Sequence, residues 1–219
     1  MSFQVNTSIL DNADGSAELK LNNTKTIVSI NGPIDPKPRQ ELPQQASLEI
    51  IIRPAIGLST TREKLLEDKI RSLLQSIIIR FKYPRQLIQI VIQFLIIDEN
   101  SGFTCNELNS AINCCFFALV DSDLSIFSSF ASIVVCYNQG NLIFNPPGNV
   151  LETCDSHHVL CFNFKNEKVK DLMLLESVGS FTESELFNLI SKSVTHVEEL
   201  HQQQRKIIND KISKDYIWK

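Results

Sequence analysis

Cys154-x-x-His157-His158-x-x-Cys161 gathers four side chains that could hold a metal or act as nucleophiles. A structural zinc site needs such groups to converge on one point. The run has the character of a strand, where successive side chains face opposite ways, so His157 and Cys161 point to one side and His158 to the other. No metal is expected. Cys114 and Cys115 fall among small and apolar residues and read as packing side chains rather than as a thiol–imidazole nucleophile. Phosphate chemistry would ask for something else: a glycine-rich turn and a cation delivering the chain into a helix N-terminus. The stretch that has the right shape for this, "DENSGFTCNELNSAINCCFFALVDS" from Asp98 to Ser122, contains no Gly-rich cradle and no Lys or Arg. Cations that could meet a polyanion lie elsewhere, at Lys37 and Arg39, Arg53, Arg62, and Arg80, Lys82 and Arg85.

The elements that must position these groups follow from hydrophobic period and turn chemistry. Ala17 to Leu21 and Thr26 to Ile30 are β-rich runs split by Asn22-Asn23-Thr24-Lys25, whose Asn residues tolerate the positive φ of a hairpin turn. Pro33, Pro36, Pro38 and Pro43 then rule out both ladder and helix, predicting a rigid loop with Lys37 and Arg39 at its tip. "ASLEIIIRP" returns as a strand. "TREKLLEDKIRSLLQSIIIRF" places Leu65, Leu66, Ile70, Leu73, Leu74, Ile77 and Ile78 at helical spacing. "QLIQIVIQFLII" is apolar enough to predict a central strand covered on both sides.

The second half repeats this alternation. "NELNSAINCCFFALVDS" predicts a helix, "ASIVVCYNQGNLIFNPP" a hairpin turning at Asn138-Gln139-Gly140-Asn141, and "HHVLCFNFKNEKVKDLMLLES" another turning at Asn166-Glu167. A last helix starts at the capping box Thr182-x-x-Glu185 and runs through Leu186, Leu189, Ile190, Val194, Val197 and Leu200 to about Ile212. The pattern predicts a single α+β domain, residues 1–219, with helices packed on mixed sheets.

Composition narrows the function. With 219 residues and 43% hydrophobic content the chain can bury a proper core. A formal charge of −4 argues against a nucleic-acid condenser or a surface adhering to anionic lipid. The N-terminal stretch has no basic and apolar leader and no apolar run reaches bilayer length, so an intracellular protein without membrane contact is expected. Six cysteines without a C-x-x-C pair fit reduced, buried thiols. The thirteen Phe read as core, since with one Trp and three Tyr the chain lacks the aromatic–basic interleaving of single-strand binders.

The run "DGSAELKLNNTKTIVSINGPIDPKPRQELP", then "RP…TTREKLLEDKIRSLL", then a central strand followed by "ELNSAINCCFFAL", is similar to the RNase PH family, whose members share the Gly-Ser/Ala turn, an "NTKV"-like strand and a Gly-Pro after it. The resemblance implies the RNase PH-like fold, a β-α-β-α arrangement like domain 2 of ribosomal protein S5. Active members carry a Gly-Gly-Thr-Arg turn that holds the attacking phosphate at a helix N-terminus. Laid on this chain by the shared Ala118-Leu119, that turn falls on Cys105, Asn106, Glu107 and Leu108. Leu108 supplies no guanidinium, worth roughly 1.5–3 kcal/mol per hydrogen bond to an anion, and Glu107 brings negative charge instead. The family's acidic positions fall near Asn145 on Leu151 and His157, with Glu152 and Asp155 nearby. No catalytic residue, metal or other cofactor is therefore expected.

RNA contact is a separate matter. Of the adjacent arginines that the family carries at the start of its first long helix, Thr61-Arg62 keeps one, making Arg62 the leading RNA-binding residue, with Lys37, Arg39 and Arg53 extending a basic track. The resemblance further implies a catalytically silent subunit of the eukaryotic RNA exosome ring. Its partners would be other RNase PH-like ring subunits, S1/KH cap subunits, an associated hydrolytic exoribonuclease and single-stranded RNA in the channel. The setting would be nucleus, nucleolus and cytoplasm, in rRNA processing and RNA degradation. Two alternatives stand beside it: an active phosphorolytic 3'-5' exoribonuclease, and a stand-alone RNA-binding module sharing only the fold.

Overall fold

The computed structural model describes residues 3–138 and 140–215, so Gln139, within one of the expected turns, lies outside the described residues. Five strands form the first sheet: β1 (Phe3–Thr7), β2 (Gly15–Leu21), β3 (Thr24–Ile34), β4 (Ser47–Arg53) and β5 (Leu87–Ile96), in the order β1-β2-β3-β5-β4. The sheet is mixed, because the edge strand β4 pairs parallel to β5 through the crossover helix α1 (Thr61–Ile77) while the pairings β1–β2, β2–β3 and β3–β5 are antiparallel. The β2–β3 turn is tighter than the four residues expected. Leu21 already pairs with Thr24, and Asn22 alone takes a positive φ of 53°. β1 is an addition to the predicted elements.

A second, antiparallel sheet follows in the order β7-β6-β8-β9, built from β6 (Ser129–Asn138), β7 (Asn141–Phe144), β8 (Ser156–Lys165) and β9 (Lys168–Gly179), with a single helical turn, α3 (Gly148–Leu151), between β7 and β8. Between the sheets lies α2 (Cys105–Asp121), every residue of which is buried as far as Leu119. β6 and β8 show how one strand serves two layers. Phe130, Val134, Cys136, Val159 and Cys161 join the core around α2, whereas Ala131, Ile133, Val135, Leu160 and Phe162 join a second cluster under α4 (Glu183–Asp215) with Leu189, Val197 and Leu200. The expected capping box of α4 forms: Glu185 accepts from the Thr182 backbone N–H at 2.7 Å.

A helix buried all round must satisfy its own polar side chains. Asn113 donates to the Ser132 carbonyl at 2.9 Å and accepts from the Ser132 N–H at 3.1 Å, while Ser132 donates its hydroxyl to Asn109 Oδ1 at 2.7 Å. Ser110 meets Thr26 across the other sheet at 2.8 Å. The polar residues of α2 thus pin the helix to both layers.

Three expectations are corrected. α1 stops at Ile77 instead of running on to Phe81, since Ile78 turns extended to bridge Ile126 and only a short 3-10 turn follows at Arg80–Lys82. Leu65 stays exposed on the outer face of α1. β5 is covered on one face only: Ile88, Ile90, Ile92 and Phe94 are buried, but Gln89, Val91 and Gln93 are half-buried on the outer face of the sheet.

Candidate functional site

β4 and β5 run parallel, so their C-terminal ends open on the same side as the N-termini of α1 and α2. Between them lies a cleft of about 560 Å³. Its wall comprises Pro54, Ala55, Ile56 and Leu58 after β4, Thr60, Arg62 and Glu63 at the start of α1, Leu95 to Ile97 at the end of β5, and Glu99, Ser101 and Glu107 where α2 begins.

Thr60 caps α1 by accepting from the Arg62 backbone N–H at 3.3 Å, and Glu63 returns a carboxylate to the Thr60 N–H at 2.6 Å, a capping box. Against the desolvation it suffers, hydrogen bonds donated by the Thr60 hydroxyl and backbone N–H hold the Glu63 carboxyl below its ordinary value. The same box orients Arg62 inward. Its guanidinium lies 2.7 Å from Glu107 Oε2, donates to the Phe103 carbonyl at 2.6 Å and to Glu63 Oε1 at 3.2 Å.

At the start of α2, Thr104 makes no side-chain cap. The cap comes from the preceding loop, where the two oxygens of the Glu99 carboxylate accept the Asn106 N–H at 3.0 Å and the Glu107 N–H at 2.8 Å. An anion belongs at a helix N-terminus; here the chain provides its own. Burial pushes the Glu99 carboxyl up, and the two N–H donors pull it back. Burial likewise drives the Glu107 carboxyl up to about 7 despite the attraction of Arg62, with Glu99 and Glu63 adding to the rise. Glu107 is fully buried, and its Oε1 has no hydrogen-bond partner.

Four residues were expected at a phosphate turn, and of these only Glu107 lines the cleft. Leu108 is fully buried in the core around α2, Cys105 joins it there, and Asn106 donates to the Pro146 carbonyl at 3.2 Å. Arg62 and Glu107, separate expectations from the sequence, are brought together. Arg53 is exposed at the end of β4, next to Pro54 on the cleft wall. Lys37 and Arg39 are exposed on the proline loop at the other end of the sheet, where Ile34 pairs with Leu87 at the start of β5. The seven residues of β4 hold the two ends roughly 20 Å apart, so the four cations form two groups and not one track. Arg80, Lys82 and Arg85 share the far end, where the Arg85 N–H bonds the Leu42 carbonyl of the loop.

Glu99 was not singled out by sequence reasoning. The signal available was an acid in the loop before a helix whose own Ncap position offers no carboxylate.

At the positions implied for the acidic pair, Leu151 is buried and His157 packs edge-on against Phe103 at 5.4 Å. Asn145 accepts from Asn109 at 3.2 Å. Glu152 and Asp155 lie exposed. The loop between them and the cleft is tightly fixed: the Gly148 N–H bonds Asp98 at 2.9 Å, and a β-carbon on Gly148 would collide with the Asp98 carbonyl oxygen. As expected from strand alternation, His157 and Cys161 share the α2 side while His158 faces Ser156 and Ser177, at 3.0 and 2.8 Å.

Residues 2–125 match the RNase PH family model described as "3' exoribonuclease family, domain 1". The chain is 44% identical over 218 residues to the exosome complex component RRP46 of Saccharomyces cerevisiae, covering 97% of this chain and 98% of that one. It is 30% identical over 202 residues to the exosome complex component rrp46 of Schizosaccharomyces pombe, covering 91% and 86%. Its fold superposes on the crystal structure of rice (Oryza sativa) Rrp46 with a TM-score of 0.86 at 22% identity, over 95% and 94% of the two chains.

Proposed function

Because the chain belongs to the RNase PH family, and its anion position is filled by its own carboxylates, we propose that it is a non-catalytic subunit of the RNA exosome ring. The single observation that carries this reading is Glu99 on the two leading N–H groups of α2, with the one guanidinium of the cleft paired to Glu107. An attacking phosphate would have to displace one carboxylate and approach two others, and no second cation lines the cleft among the described residues. A phosphorolytic enzyme needs the reverse balance.

What is left to the chain is architecture. β9 is a twelve-residue edge strand that leaves Leu172, Leu175 and Val178 exposed, a surface suited to joining the sheet of a neighbouring RNase PH-like subunit. In this reading such pairs close a ring around a channel for single-stranded RNA, S1/KH subunits cap it, and an associated hydrolytic exoribonuclease does the cutting, in nucleus, nucleolus and cytoplasm. The chain itself forms one RNase PH-like domain. RNA contact falls to Arg53 beside the cleft and to Lys37 and Arg39 at the far end; Arg62 reaches RNA only by giving up its internal partners.

Co-expression with RNase PH-like exosome subunits, followed by light scattering, tests the assembly. The expected result is a stable hetero-oligomer with this chain in a fixed ratio to its partners. A homo-hexamer formed by the chain alone, indifferent to the others, would overturn the reading.

A further inference from the structure

The cleft is not inert merely because it refuses phosphate. Its floor holds three carboxylates, Glu63, Glu99 and Glu107, against one guanidinium, Arg62. Glu107 is fully buried, yet its Oε1 receives no hydrogen bond. Such an acceptor is costly to leave unmet and would be satisfied by a donor brought into the cleft once the floor side chains shift to expose it. The mouth has the opposite character. Ile56 is 92% and Leu58 89% exposed, and Leu95 and Ile96 stand beside them at 42% and 51%. Two aliphatic side chains held almost wholly in water on a structured loop, next to two more on a strand end, form a patch of the kind that marks a protein contact.

From these features we infer that the cleft is a docking socket for a partner protein, which inserts an arginine or lysine side chain toward Glu107 and covers Ile56 and Leu58 with flanking aliphatic residues. Charge complementarity selects this occupant. A carboxylate-rich floor repels an RNA phosphate and an acidic peptide alike, and an aliphatic segment without a cation would bury Glu107 and Glu99 deeper with no compensation. A guanidinium or ammonium meets the unpaired oxygen, while its aliphatic stem and neighbours dry the rim. This inference does not depend on the catalytic reading of the chain; it needs only the floor and the mouth.

The test uses the full chain with labelled methyl groups and three peptides, Ser-Leu-Ile-X-Ile-Leu-Ser, with X as Arg, Met or Glu. The Arg peptide should shift the Ile56, Leu58, Leu95 and Ile96 methyl signals saturably. The Met peptide should bind roughly tenfold more weakly, as expected for loss of a charge-assisted pair, and the Glu peptide should not saturate. Glu107→Gln should bring the Arg and Met peptides close to equal affinity. Ile56→Asp, at a position too exposed to disturb folding, should weaken both. Equal binding of Arg and Met peptides to the unaltered chain, preference for Glu, displacement of the same signals by oligouridylate, or no shift with any peptide would each overturn the socket.

Discussion

Leu108→Arg should fail to give a stably folded chain, even though it writes into the sequence the residue that an active phosphate turn would carry. Leu108 is fully buried within the core around α2, next to the sheets and not in the cleft. The substitution forfeits about 2–3 kcal/mol of apolar burial and places an unpaired guanidinium where the effective penalty is several kcal/mol more. Domains of this kind are stable by only about 5–15 kcal/mol in total. Thermal unfolding followed by circular dichroism should show a soluble fraction that melts far below the unaltered chain, or none. Leu108→Met, of similar volume, should melt close to the parent. A Leu108→Arg variant with parental stability would mean that this side chain can turn into the cleft, and that a phosphate-binding arginine is one substitution away.

The second large effect is expected from Glu99→Ala. Removing the carboxylate strips two buried N–H groups of their acceptor, at about 1–3 kcal/mol for such a loss, comparable to the most valuable helix caps. The vacated space lies at the positive end of a seventeen-residue helix. Inorganic phosphate should therefore raise the melting temperature of Glu99→Ala in a concentration-dependent way, as any ligand specific to the folded state does, and leave the unaltered chain unchanged. Equal stabilisation of both by phosphate would show that Glu99 does not occupy the anion position.

Legibility in the sequence divides along physical lines. The two C-terminal hairpins, the capping box at Thr182 and the helical faces of α1, apart from Leu65, and of α4 were readable, because period and turn chemistry are local. β1 was not, since Phe3-x-Val5-x-Thr7 is short and half-exposed, and its strand character comes from the β2 edge it meets. The end of α1 was blurred for a similar reason: the apolar run continues through Ile79, and only the bridge from Ile78 to Ile126 breaks it. At the site, the absence of a Gly-rich cradle and of cations near α2 was plain. Which residue of the Cys105–Leu108 turn would face the cleft was not, because that depends on how α2 is rotated between its sheets. The pairing of Arg62 with Glu107 and the reach of Glu99 back to α2 are tertiary facts, joining elements that no local pattern connects.

The central claim, that this subunit contributes no phosphorolysis, is tested most directly by incubating the purified chain, alone and assembled with RNase PH-like partners, with single-stranded RNA and inorganic phosphate, and measuring nucleoside diphosphate release. The account predicts none above a phosphate-free control in either state. Phosphate-dependent release that disappears with Arg62→Ala would contradict it, placing a working active site in the cleft that Glu99 and Glu107 fill.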